Sequence, residues 1–289
     1  MDPVIVWHLN LDAEDELARL GRAYAPSDVV RARIEGLRPR LADLIGDGLH
    51  LSGADRFAPG AHGRAWCPTP RALAALSAAG AVPPMAPPAE ILRRVAHRRW
   101  TVNLGFALPG AIWLDDPSRL AEHLAPFPVG ESWHLKRAFA YAGRGHRRVR
   151  AGSLSAADQS WLLASEGGVL AEPEVARTLD LSLHGYVHPD GTSTLGVPTA
   201  QDVDAGGTWQ ASRLFTDAWG ESAILLRATA SAVALALAAS RYFGPFGIDA
   251  YEGTLRGAFV RQRCTDVNAR YTMGWATRMG TWRPEVGLP

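Results

Sequence analysis

The sequence Asp-Val-Asn-Ala-Arg occupies residues 266–270, at the end of a stretch typical of a β-strand. Because side chains two residues apart on a strand point to the same face, Asp266, Asn268 and Arg270 share one side. Asp249, on the preceding predicted strand, can reach that side. Carboxylate and amide oxygens suit Mg²⁺, and an arginine on the same register can clamp a phosphate. The alternative interpretation is a polar strand face at the edge of a sheet.

Lysine is the rarest basic residue of the chain. Lysine and arginine together number 30, and Lys136 is the one lysine among them. It ends a predicted strand over residues 133–136, and a glycine-containing loop over residues 140–145 follows it. An ammonium group next to backbone N–H groups of such a loop can bind phosphates. The Walker pattern is absent from the sequence, and a solvated charge beside a loose hairpin is the alternative.

A third segment, residues 169–175, predicts a short apolar strand that ends at the Glu172-Pro173 step. A strand that ends at a proline leaves backbone groups free to pair with the edge of a nucleobase. The Glu172 carboxylate can accept a hydrogen bond from an exocyclic amine or a ribose hydroxyl. The alternative is a strand that simply terminates at the proline.

The order of these segments resembles the ATP-grasp superfamily of ATP-dependent carboxylate–amine ligases. The resemblance covers roughly residues 90 to 280. The matching segments, in chain order, are Leu135-Lys136, Gly143-Arg144-Gly145, Glu172 to Val175, Asp180, Gly247 to Asp249 and Asp266 to Arg270.

The resemblance implies a role for each segment. On the nucleotide side, Lys136 would contact the α- and β-phosphates, and the loop with Gly143, Arg144 and Gly145 would close over the triphosphate. The roles implied for the remaining residues are adenine binding by Glu172 and the backbone to Val175, ribose binding by Asp180, Mg²⁺ binding by Asp249, Asp266 and Asn268, and stabilisation of the transferring phosphoryl group by Arg270. The last acid of the family is usually a glutamate and here is Asp266. The family's earlier ATP-contacting lysine is matched by no lysine, and Arg98 and Arg99 are the nearest cations.

The predicted fold class is α/β, in the α+β arrangement of the ATP-grasp proteins. Four prolines within residues 83–88 mark a boundary, because such a run can form neither a helix nor a central strand. Residues 1–88 would then form a pre-ATP-grasp-like domain. Residues 89–178 would form a subdomain with the lysine strand and glycine loop, and residues 179–289 a magnesium-binding subdomain. The two strands around residues 247–251 and 258–267 are predicted to turn at Gly253.

The implied reaction is ATP- and Mg²⁺-dependent, with Mn²⁺ as a substitute metal. A carboxylate would attack the γ-phosphate to give an acylphosphate, and an amine would then displace phosphate. The partners would be a small-molecule carboxylate and amine. A kinase on the same fold and a nucleotide-binding regulator without turnover are the alternatives.

Composition narrows the remaining possibilities. The formal net charge is +1, which favours neither nucleic acid nor an acidic membrane surface as a partner. Two cysteines are too few for a disulfide framework, and no basic segment precedes the first apolar run. The longest apolar stretch, residues 223–240, is predicted to lie in a helix over residues 216–240 that is buried. We therefore expect a cytoplasmic protein, with a homodimer compatible with these features.

Overall fold

The N-terminal part of the chain forms a small parallel sheet flanked by helices. The computed structural model describes residues 4–52, 55–58, 60–140, 145–203, 209–214, 220–280 and 282. The strands are β1 (Ile5–His8), β2 (Leu49–His50) and β3 (His62–Ala65), in the order β2-β1-β3. The helices are α1 (Ala13–Ala18), α2 (Asp28–Leu37), α3 (Ala42–Ile45) and α4 (Pro70–Ala78). Helical crossovers are what parallel neighbours require, so the predicted α/β opening is confirmed.

Two predicted helices of this part are shorter or more broken than the apolar pattern indicates. Acidic residues followed by arginines predict a helix over residues 12–25, but α1 ends at Ala18, because the chain turns at Gly21 with φ of +85°. Apolar residues at three- and four-residue spacing predict a second helix over residues 29–45, which is interrupted at Pro39, where a turn of 3₁₀-helix over Arg38–Leu41 separates α2 from α3. Proline lacks the N–H that an uninterrupted helix would need at that position.

The middle of the chain forms an antiparallel sheet of four strands. Its elements are α5 (Ala89–Ala96), α6 (Arg98–Thr101), β4 (Ile112–Leu114), α7 (Leu120–Leu124), β5 (Ser132–Arg137), β6 (His146–Arg150), α8 (Ala156–Leu163) and β7 (Val169–Pro173). The strand order is β4-β7-β5-β6. Trp133, Leu135 and Val149 lie on one face and pack with Leu120 and Leu162 of the covering helices. The opposite face of this sheet is therefore left for polar side chains.

The last part of the chain forms the largest sheet. Its strands are β8 (Ala176–Val187), β9 (Ser193–Leu195), β10 (Thr199–Val203), β11 (Trp209–Leu214), β12 (Gly244–Leu255) and β13 (Ala258–Asn268). All neighbours are antiparallel, in the order β11-β10-β8-β12-β13, and β9 extends β8. Helix α9 (Gly220–Ala239) buries Leu226, Val233 and Leu237 in one core with Leu183 and Ile248, and α10 (Trp275–Met279) follows β13.

The β12–β13 hairpin is longer than predicted. Its turn lies at Arg256 and Gly257, which both have positive φ, and not at Gly253. Gly253 is instead inside β12, where a Cβ would lie 2.4 Å from the Ala176 carbonyl oxygen. The glycine is thus explained by the close approach of β8 and not by a turn.

Helix α9 corresponds to the predicted apolar helix, of which residues 216–219 lie outside the described part of the chain. By length and composition alone it is able to cross a membrane, but its inner face packs on the large sheet. The main core also contains Trp7, Leu17 and Leu41. Consequently, the N-terminal sheet and the large sheet share one core, and the three-part division of the chain remains a proposal.

Candidate active site

Cross-strand register places a group of polar side chains on the open face of the middle sheet. Lys136 lies directly opposite His146, and His134 lies opposite both Arg148 and Glu172. Residues directly opposite each other in an antiparallel pair share a face. All five line a cavity of about 330 Å³, which we call the first cavity. One wall of that cavity thus places two cations, Lys136 and Arg148, beside two glutamates, Glu172 and Glu174.

Lys136 is 3% exposed and connects two sheets. Its Nζ lies 2.5 Å from Glu172 Oε2 on β7 and donates a hydrogen bond of 2.7 Å to Thr265 Oγ1 on β13. Burial lowers the pKa of Lys136, although the Glu172 carboxylate opposes that shift. The lysine is therefore an internal group with two specific partners, and its interpretation as a solvated charge is wrong.

The predicted magnesium ligands lie together on the large sheet. Asp249 of β12 is directly opposite Asp266 of β13, so both carboxylates share a face, as predicted. Asn268 Nδ2 donates to Asp249 Oδ2 at 2.9 Å, and Gln201 Nε2 donates to Asp249 Oδ1 at 3.1 Å. Burial, followed by repulsion from Asp266, raises the pKa of Asp249 to about 6. An irregularity in the register directly after Asp249 lets consecutive residues Thr265 and Asp266 both line the first cavity.

This donor set fits a divalent cation. Asp249 is contacted by two amides but by no positive side chain in the described part of the chain, and its raised pKa shows that its charge is poorly compensated. The described residues contain no cluster of three or more His, Cys, Asp or Glu side chains suited to a metal. Mg²⁺ commonly takes one or two carboxylates and completes its shell with phosphate oxygens and water. Two aspartates and the Asn268 amide match that requirement, whereas a closed zinc site would not form here.

Arg98 and Arg99, the two candidates for the missing lysine, have different positions. Arg98 is buried, donates to the Arg137 carbonyl oxygen and lies 2.8 Å from Asp266 Oδ2. Arg99 pairs with Asp115 on the surface and lines neither cavity at the aspartate pair. The sequence predicts one helix over residues 90–100, but it breaks at His97, whose ring accepts the Arg99 N–H. After this break the Arg98 side chain points inward and the Arg99 side chain points to the surface. Arg99 is therefore excluded as a site residue.

Arg270 is buried against the N-terminal part of the chain. Its Nε donates to Glu14 Oε1 of α1, and its Nη2 donates to Asn268 Oδ1 at 3.1 Å. Its guanidinium carbon lies 5.1 Å from the centre of the Trp66 ring. Burial raises the pKa of Glu14 although Arg270 opposes that shift, and among the described residues the second Glu14 carboxylate oxygen has no hydrogen-bond partner. Sequence reasoning missed Glu14, because no local pattern connects α1 with the end of β13.

The predicted nucleobase and ribose residues line the far end of the first cavity. Val175 and Asp180 are both there, and Asp180 pairs with Arg177 at 3.0 Å. The Arg177 guanidinium lies 4.0 Å from the Tyr251 ring centre. Burial raises the pKa of Asp180. Arg177 and Tyr251 were not predicted. Arg177 reaches Asp180 from three residues earlier on β8, and Tyr251 lies opposite Asp180 because β12 pairs with β8.

The glycine loop is described only at its end. Gly145 has φ of +70°, and a Cβ there would lie 3.0 Å from Ala140 Cβ, which accounts for the glycine. Gly143 and Arg144 lie outside the described residues.

Three basic side chains on the lysine face were missed as site residues. His134, His146 and Arg148 follow the same period of two as Lys136 across the predicted hairpin, so alternation alone could have found them. Burial, followed by the charge of Lys136, lowers the pKa of His134 to about 2, and burial also lowers that of His146. At neutral pH both imidazoles are thus uncharged, and the positive charge of this face comes from Lys136 and Arg148.

A second cavity of about 210 Å³ lies on the other side of the aspartate pair. It shares Asp249, Asp266, His146 and Gln201 with the first cavity. Other lining residues come from four parts of the chain. The N-terminal part supplies Leu11, Leu37, Arg40 and Trp66, α6 supplies Arg98, the large sheet supplies His184, Trp209 and Asn268, and the chain after β13 supplies Arg270, Thr272 and Met273. The two cavities therefore meet at the predicted metal ligands.

Solved structures with similar folds were found, although no family model and no curated protein sequence matches this chain. The N5-carboxyaminoimidazole ribonucleotide synthetase of Thermus thermophilus matches over 99% of this chain and 79% of its own, at 19% identity and a TM-score of 0.55. D-alanyl-alanine synthetase A of Vibrio cholerae matches over 93% and 89%, at 12% identity and a TM-score of 0.53. A D-cycloserine synthetase matches over 94% of both chains, at 15% identity and a TM-score of 0.51. At these identities the likeness shows a shared fold.

Proposed function

The chain has the ATP-grasp fold, and from that premise we propose that it is an ATP- and Mg²⁺-dependent ligase. It would activate a small carboxylate as an acylphosphate and join it to an amine. The observation that carries the proposal is the meeting of two cavities at Asp249 and Asp266. A phosphoryl donor in one cavity and an acceptor in the other would then have their reacting ends at the same pair of carboxylates.

The first cavity suits a nucleoside triphosphate. Lys136, Arg148 and Arg177 supply positive charge, and Glu172 can change its partner from Lys136 to a base amine as the lysine turns to phosphate. Asp180 and the backbone up to Val175 would hold the ribose and the base. Because a lysine is a compact charge on a flexible stem, such an exchange of partners needs little movement.

The metal-binding residues of the proposal are Asp249, Asp266 and Asn268, with Mg²⁺ or Mn²⁺ as the cation. The ion, when bound, neutralises charge on the phosphates. Arg98 and Arg270 contribute from the protein side, because both buried guanidinium groups line the second cavity and are fixed by Asp266 and by Glu14 with Asn268, respectively. Preorganised charges of this kind stabilise a transferring phosphoryl group without any nucleophilic side chain.

A screen for ADP release tests the proposal. The protein is mixed with Mg·ATP and pools of amino acids and small carboxylates, and products are identified by mass. ADP and an amide support the ligase, whereas a phosphorylated product that forms no amide indicates the kinase alternative. Saturable ATP binding without ADP release indicates the regulator alternative, and absence of ATP binding contradicts the whole assignment.

Two variants make the screen specific. Asp249→Asn removes one proposed metal ligand and is expected to abolish Mg²⁺-dependent turnover. Arg99→Ala is the control, since it also removes a charge but changes an exposed ion pair with Asp115 outside the site. Equal loss of activity in both variants would contradict the assigned site. Cytoplasmic location and a homodimer belong to the same proposal, as do small-molecule partners.

A further inference from the structure

We infer that the acid bound in the second cavity carries an apolar side chain. The inference rests on the proposed function, and it concerns the part of the site that the nucleotide does not use. The second cavity has two kinds of wall. Its charged wall is formed by Asp249, Asp266 and Asn268 of the large sheet, and its other wall comes from elements outside that sheet.

The outer wall is formed by large apolar side chains from distant parts of the chain. Leu11 follows β1, Leu37 ends α2, Trp66 follows β3, and Met273 follows β13. Leu11 and Trp66 are buried in the main core, and Leu37 and Met273 pack against it. A charged or strongly polar substrate group against this wall would lose its hydration without gaining a partner, which is unfavourable.

The buried charges near this wall, Arg98 and Arg270, are already compensated. Arg270 is held by Glu14 and Asn268, and Arg98 is paired with Asp266. Burial, followed by the charge of Arg278, lowers the pKa of His184 to about 3, so this lining residue is neutral at pH 7. The buried part of the apolar wall can therefore pack against an apolar substrate side chain, but it has no free counter-ion for a charged one.

Cavity size limits the ligand to a small acid. A cavity of about 150 Å³ suffices for a benzene ring, so about 210 Å³ has room for a carboxylate with a branched aliphatic or single-ring side chain. Arg40 is exposed at this cavity and pairs with no residue in the described part of the chain. Arg40 would favour a substrate with a second carboxylate. Aspartate and glutamate are therefore included among the probes below.

The test measures binding of a matched series of acids by calorimetry. The protein is first saturated with Mg²⁺ and a non-hydrolysable ATP analogue, and the probes are L-alanine, L-leucine, 4-methylpentanoate, L-phenylalanine, L-aspartate and L-glutamate. We expect leucine, 4-methylpentanoate or phenylalanine to bind at least about 10-fold more tightly than alanine, because each added methylene in an apolar pocket contributes on the order of 10-fold. Aspartate and glutamate are expected to bind more weakly than leucine.

The outcomes separate this inference from the proposed function. If the nucleotide analogue does not bind, the proposed function fails. If it binds but no apolar acid does, or if aspartate or glutamate binds as tightly as leucine, the inference is overturned.

A pair of variants locates the contact. Met273→Ala is expected to weaken leucine binding about 10-fold or more while leaving nucleotide affinity unchanged. Leu235→Ala, which removes an exposed apolar side chain from α9, is the control and should change neither affinity. If Met273→Ala fails to fold, the wild-type series alone decides the question.

Discussion

Replacement of Lys136 by methionine is expected to destabilise the protein strongly, apart from any effect on activity. Lys136 and Glu172 have side-chain exposures of 4% and 3%, and their charged atoms are 2.5 Å apart. Lys136→Met would leave a buried carboxylate without its cation, and removal of one partner of such a pair costs about 3–5 kcal/mol. For a chain of this size, at about 2 °C per kcal/mol, the melting temperature should fall by roughly 6–10 °C.

The double variant Lys136→Met/Glu172→Gln isolates the cause of that loss. With both charges removed, no buried ion is left uncompensated, and its stability should return to within about 1–2 kcal/mol of the wild type. Acidification should rescue the single variant but not the double one, because protonation neutralises the stranded carboxylate. Urea unfolding at pH 5 and pH 8 measures the free energy of unfolding of the wild type, the single variant and the double variant.

An exposed ion pair provides the control for this cycle. Arg99 and Asp115 have side-chain exposures of 50% and 65%, so Arg99→Met should cost less than about 1 kcal/mol. If Lys136→Met costs no more than Arg99→Met, or if the double variant is no more stable than the single one, the lysine is not the internal ion described above.

Three further results are expected. Asp249→Asn should abolish Mg²⁺ binding in calorimetry, and in EDTA it should lower the melting temperature only slightly, because no cation loses its partner although one of the two amide donors to Asp249 loses its acceptor; a marked fall would indicate a structural role. The contribution of His8 should lower wild-type stability by about 3 kcal/mol as the pH falls from 6.5 to 4, since burial, followed by Arg71, lowers the pKa of His8 to about 4 while the unfolded chain takes up the proton; His134, His146 and His184 act in the same direction, so His8→Asn should reduce this slope in urea titrations and not abolish it. Glu14→Gln should lower kcat on the order of 10-fold with little change in KM for ATP, because Arg270 loses its charged partner; an unchanged kcat would contradict this positioning role.

Local periodicity was sufficient to predict the shared face of Asp266 and Asn268, because alternation along a strand depends only on neighbouring residues. The same holds for the strand that carries Lys136, and for the hairpin of β8 and β9. Antiparallel pairing then brought Asp249 to the aspartate of the next strand, as expected. Each of these predictions concerns neighbouring strands within a single sheet.

The site residues that the sequence did not reveal depend on contacts between distant segments. The Arg98–Asp266 pair spans 168 positions, and no sequence pattern distinguishes Arg98 from Arg99. The pair also affects the variant Asp266→Asn. Alternation along the strand gives Asp266 no charged partner, so by sequence alone this variant should leave the melting temperature unchanged. Since Arg98 is 4% exposed and would lose its counter-ion, we now expect that variant to be destabilised.

The Glu14–Arg270 contact closes a loop of 256 positions, nearly the full length of the chain. Closing so long a loop has an entropic cost that local contacts do not have. During synthesis from the N-terminus, Glu14 has to wait until the next 256 residues are made before its partner exists. Arg270 would then take its fixed position only after those residues are made, whereas the sheet that carries Lys136 is available earlier.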